Sequence, residues 1–131
     1  MLHDFIVRLQ KDLELKEPLT NQDDSSFALA LDEDSVINIT DSSPGFKIFS
    51  NLGPLPTVQH EDFFSMMLRG NLFGQATHFA ALGLDESGNK VTLQYYHPNK
   101  PTYQEFHNAI EDFINVVDYW KSQIKSHPAV T

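Results

Sequence analysis

Apolar residues recur along this chain with two alternating periods, and the changes of period divide it into eight elements. Leu2, Phe5, Ile6, Leu9 and Leu13 keep the spacing of one helix face, with Asp4, Arg8, Lys11 and Asp12 off its centre. That helix must end before Pro18, because the residue preceding a proline is driven out of helical backbone. Val7 falls about 145° from the centre of the stripe, on the wet face. After a polar loop from Thr20 to Ser26 the period drops to two. Phe27, Leu29 and Leu31 alternate with Ala28 and Ala30, Asp32-Glu33-Asp34-Ser35 turns the chain, and Val36 to Thr40 returns as a second strand. Asp41-Ser42-Ser43-Pro44-Gly45 is the next turn, and Phe46 to Leu52 is a third strand. Short turns between three strands predict an antiparallel meander. In the third strand Phe46 and Ile48 point one way, while Lys47, Phe49 and Asn51 point the other. Phe49 therefore has no place in a sheet buried on one side only.

Gly53-Pro54-Leu55-Pro56 breaks the sheet, and a helix is predicted from Gln59 to Leu72. Its apolar residues Phe63, Phe64, Met66, Met67 and Leu68 sweep about 200° of the circumference, twice the roughly 100° of one-sided burial. The chain has few elements with which to cover both sides, and a second subunit is the more economical cover. Strands follow over Phe79 to Leu84 and Lys90 to Tyr96, joined by Asp85-Glu86-Ser87-Gly88-Asn89, where Gly88 suits a left-handed turn position. Thr102-x-x-Glu105 is a capping box that opens the last helix. Tyr103, Phe106, Ile110, Phe113, Ile114, Val117, Trp120 and Ile124 are its stripe. The order α-β-β-β-α-β-β-α predicts an α+β fold, an antiparallel twisted sheet packed by helices. Residues 1–126 form one domain in this reading, and residues 127–131 a frayed tail.

Composition removes several classes of function. A chain of 131 residues with 40% hydrophobic content can bury roughly two-thirds of its unfolded surface. Eighteen acids against nine scattered bases give a net charge of −9, so no basic stripe exists to neutralise phosphates. Nucleic acid is not an expected partner, and neither is an anionic membrane surface. No apolar run approaches the roughly 20 residues of a membrane span, and the charged N-terminal stretch lacks a signal-peptide core. The expected location is the cytosol. With no cysteine there is neither disulfide, zinc–thiolate site nor thiol nucleophile.

The candidate chemistry is thin. His3, His60, His78, His97, His107 and His127 fall in six separate segments without an i, i+4 pair or a His-Glu-x-x-His motif. Asp23-Asp24, Asp32-Glu33-Asp34 and Asp85-Glu86 are ordinary turn residues, and Glu61-Asp62 sits where a helix dipole favours acids. Asp32-x-Asp34 lacks the glycine and distal glutamate of a calcium loop. No Walker sequence, dinucleotide fingerprint or nucleophile elbow occurs. No catalytic residue, metal or cofactor is assigned. What remains is apolar surface beyond one core's demand, the usual mark of a protein–protein site.

Three segments carry a resemblance: Leu52-Gly53-Pro54-Leu55-Pro56, then Met67-Leu68-Arg69-Gly70-Asn71-Leu72-Phe73, then Ala81-Leu82-Gly83-Leu84-Asp85-Glu86. In their order and spacing, and with the aromatic-rich helix around Trp120, the chain resembles the CesT/SycE-type class I chaperones of bacterial type III secretion. The resemblance implies an ATP-independent cytosolic dimer that binds the N-terminal segment of a secreted effector in extended form and keeps it secretion-competent. It implies a second copy or a paralogous chaperone subunit as partner, and release at the secretion ATPase. Phe63, Met66, Met67, Phe73, Leu82 and Leu84 would form the dimer face, and Val7, Phe27, Leu29, Ile37, Ile39 and Phe49 the client patches. Two other readings stand beside it: a small α+β enzyme or ligand-binding protein with a pocket lined by His, Asp and Glu, and a regulatory adaptor of the same fold.

Overall fold

The computed structural model describes residues 2–12, 20–23, 26–32, 35–56, 60–73 and 80–126. The elements are α1 (Leu2–Asp12), β1 (Thr20–Asp23), β2 (Ser26–Asp32), β3 (Ser35–Ser42), β4 (Gly45–Pro54), α2 (His60–Phe73), β5 (Ala81–Leu84), β6 (Lys90–His97) and α3 (Tyr103–Ser126). All strands join one antiparallel sheet in the order β1-β2-β3-β4-β6-β5. The α+β architecture agrees with the sequence pattern, with one addition. The stretch read as a polar loop contains β1, which pairs Thr20 with Ala28 and Asn21 with Phe27. An edge strand of polar residues is held by backbone ladder bonds, so its sequence carries no apolar alternation to detect. Leu13, Phe79 and the tail 127–131 lie outside the described residues.

Register decides which side chains are buried. Phe27 pairs with Ile39, Leu29 with Ile37, Ile39 with Ile48, and Leu82 with Leu93, so the large aliphatic residues share one face. Ser50 lies among them, opposite Ile37, and its hydroxyl donates to the Val36 carbonyl at 2.8 Å. A buried hydroxyl so satisfied costs little. The long helix α3 crosses this face and buries Phe106, Ile110, Phe113, Val116, Val117 and Trp120 against it. Near its start, Phe106 meets Phe46 edge-on at 5.1 Å and Phe5 of α1 at 5.4 Å. Towards its end, Trp120 meets Phe63 of α2 edge-on at 6.2 Å.

Local signals fix the ends of these elements. In the capping box the Glu105 carboxylate accepts from the Thr102 amide at 2.9 Å, and the Thr102 hydroxyl accepts from the Glu105 amide at 3.1 Å. Tyr103 then ties α3 to α1, donating its hydroxyl to Asp12 at 2.6 Å beneath the Arg8 guanidinium. At the β5–β6 turn, Gly88 has a φ of +74° and Asp85 accepts from the Ser87 hydroxyl at 2.7 Å. Gly45 is required for a different reason: a Cβ there would collide with the carbonyl of His97.

Candidate protein-binding surfaces

Helices cover one face of the sheet, and among the described residues none covers the other. Along β4 the alternation is complete: Phe46, Ile48, Ser50 and Leu52 are buried while Lys47, Phe49 and Asn51 are exposed. Phe49 is 40% exposed and stands opposite Asn38 and Gln94. Val36 and Tyr96 emerge on the same face, with the Lys47 ammonium 5.6 Å from the Tyr96 ring. Three large apolar or aromatic side chains on an uncovered face make a surface rather than scattered exposure.

A second exposed cluster lies where α2 meets β5. Phe63, Met67 and Gly70 face inward on α2, whereas Leu68 is 68% exposed and Phe64 and Met66 are half-buried. Among the described residues the wide apolar sweep of this helix has one cover, and Leu68 stands outside it. Leu84 lies nearby on β5, an edge strand, and is 39% exposed. Its neighbour Asp85 is an acid with a structural task. The Ser87 hydroxyl, with the amides of Lys90, Asn89 and Gly88, holds its carboxyl below the usual carboxylate range.

The structure sorts the expected binding residues sharply. Of the client set, Val7 and Phe49 are exposed, but Val7 belongs to the helical layer and Phe49 to the uncovered sheet face. Phe27, Leu29, Ile37 and Ile39 are core residues, each no more than 4% exposed. They share the face of Ile48, which the helices occupy. Of the dimer set, Met66 and Leu84 are accessible. Phe63, Met67 and Leu82 are buried within the single chain, where they support the outer cluster from beneath. The Phe73 side chain lies outside the described residues. Val36, Tyr96 and Leu68 are exposed as well, and for Val36 the sequence carries the signal: once Ile37 and Ile39 point inward, Val36 must point outward.

Among the described residues, no group of three or more His, Asp and Glu side chains is placed to hold a metal. No helix there is long and apolar enough to cross a membrane.

The profile of the Tir chaperone protein (CesT) family matches residues 4–121. The chain belongs to this family. It is 28% identical to the protein CPj0713/CpB0740 of Chlamydia pneumoniae over 126 residues, which is 95% of this chain and 96% of the relative. Its fold superposes on the heterodimeric ExoU–SpcU complex from the type III secretion system of Pseudomonas aeruginosa with a TM-score of 0.71. Identity there is 13%, covering 95% of this chain and 98% of the other. The HopA1–SchA chaperone–effector complex gives a TM-score of 0.67 at 14% identity, covering 92% and 93% of the two chains. At such identities the structural likeness establishes the fold, and the family match stands on the sequence.

Proposed function

We propose that this CesT-family protein is an ATP-independent chaperone of the bacterial cytoplasm, without enzymatic activity of its own. It binds the N-terminal segment of a type III secretion effector, holds it extended, and passes it to the secretion machinery, where the ATPase provides the work of release. The observation that carries this reading is the one-sided sheet. Helices satisfy one face, while Phe49, Val36 and Tyr96 stay exposed on the other in a chain that belongs to a chaperone family. An extended client forfeits conformational entropy on docking, and broad apolar surface is what compensates for that loss. Complexes of the same fold with effectors, such as HopA1–SchA, support the assignment.

The protein works as a dimer, with itself or with a paralogous chaperone, through the α2–β5 surface. Leu68, Met66 and Leu84 form the contact, and the buried Phe63, Met67 and Leu82 shape it. Val7 and Phe49 mark two separate client contacts, one on each layer. Tagged protein recovered from its own cytosol tests the assignment. The expected result is a co-purifying secreted protein, retained with or without ATP and lost when its N-terminal segment is deleted. Retention that survives that deletion, or that requires ATP, would contradict it.

A further inference from the structure

The uncovered sheet face runs into a broad groove of about 1050 Å³ where the start of β3 lies beside the end of β4 and the last turns of α3 come alongside. That volume is at or above the roughly 300–1000 Å³ of clefts shaped for small molecules. Its apolar walls include Val36, Phe49, Leu52 and Ile124. Among the described residues, its charged lining is all of one sign: Lys90, Lys121 and Lys125. These are three of the nine bases in a chain whose net charge is −9. Lys121 and Lys125 also border a neighbouring hollow whose lining includes Asp118. Lys90 and Lys125 have no ion pair among the described residues.

We propose that this groove is the docking site for an acidic, apolar segment of the client, one in which Asp or Glu residues flank a large apolar side chain. This rests on the chaperone reading and specifies which client sequence the protein selects. An apolar residue of the client packs against Phe49 and Val36, and the flanking carboxylates reach Lys90 and Lys125. Elsewhere the acidic chaperone repels such a segment, so the lysines determine where it binds as well as how tightly. Exposed charge pairs are screened by salt, and binding here should therefore weaken as ionic strength rises.

A short fluorescein-labelled peptide, with Asp and Glu flanking a Phe and a Leu, is titrated against the full chain and followed by anisotropy. Two control peptides carry Asn and Gln in place of the acids, or Ser in place of the Phe and Leu. The acidic–apolar peptide is expected to bind at least about tenfold more tightly than either control at about 50 mM NaCl, with that advantage shrinking at about 300 mM. Phe49→Ala, and separately Lys90→Glu with Lys125→Glu, should each weaken it about tenfold or more. All three positions are exposed, and unchanged melting curves verify that the variants fold. Equal binding of the amide control, or no loss in either variant, overturns the proposal. So does a peptide that binds only after residues 127–131 are removed, because the groove would then belong to the chain's own tail. If both variants still retain the natural effector at wild-type level, the groove inference falls and the chaperone reading stands. If the wild-type chain retains no effector, the chaperone reading falls.

Discussion

Replacing Leu68 by Ser separates a helix that is merely greasy from one that forms an interface. Leu68 is 68% exposed in the single chain, so the folded protomer should lose no more than about 0.5 kcal/mol. Full burial of a leucine side chain is worth about 2 kcal/mol, and roughly two-thirds of that is still available to a partner surface. This leaves about 1.4 kcal/mol per subunit. A two-fold axis repeats the contact, giving about 3 kcal/mol, or close to 100-fold in the dimer dissociation constant. Sedimentation velocity over a concentration series reads that constant, and a thermal melt at high dilution checks the protomer. Met67→Glu is no substitute, because Met67 is 6% exposed and a charge there would disrupt the protomer's own core. A dimer whose dissociation constant is unchanged in Leu68→Ser, with melting intact, would refute the placement of the interface on α2.

Three further predictions concern the scaffold that presents these surfaces. Gly45→Ala forces a Cβ against the His97 carbonyl at the β4–β6 pairing and should cost about 2–3 kcal/mol in urea unfolding, where an alanine at Gly83, meeting the Thr92 hydroxyl at an ordinary 3.5 Å contact, would cost less. Thr102→Ala removes the cap of α3 and should cost about 1 kcal/mol. The same box has an acid limb. The hydrogen bonds from Thr102, its backbone amide first, hold the Glu105 carboxyl below its ordinary 4.5, so its contribution is complete above that pH and lost as pH falls below it. Glu105→Gln, which removes the titrating group, should flatten that part of the stability–pH curve. Tyr103 supplies an alkaline limb: burial, then the Asp12 hydrogen bond, push its phenol up to about 12 from 10.0. Folding favours its protonated form, so stability falls as pH rises between those values, and Tyr103→Phe should lack that fall in thermal melts.

Most of the architecture was legible because each element carries its own period or cap. The Phe27–Leu29 and Phe46–Ile48 alternations, the Thr102–Glu105 box and the α3 stripe each specify local structure with little help from the rest of the chain. β1 was not legible, since a polar edge strand owes its existence to pairing with β2 rather than to its own pattern. The binding surfaces were half legible. Phe49 and Val7 stood out because they interrupt a polar face. Phe27, Leu29, Ile37 and Ile39 could not be separated from a client patch, because an apolar strand face looks the same in sequence whether a helix or a partner covers it. Register against Ile48 distinguishes the two. The lysines of the groove come from β6 and the end of α3, far apart in sequence, and only the fold brings them beside Phe49.

Native mass spectrometry of the tagged chain isolated gently from its own cytosol tests the central claim most directly. The account predicts an assembly of two chaperone subunits with a secreted protein bound through its N-terminal segment, unchanged when ATP is added. A lone chain without a bound polypeptide would contradict it.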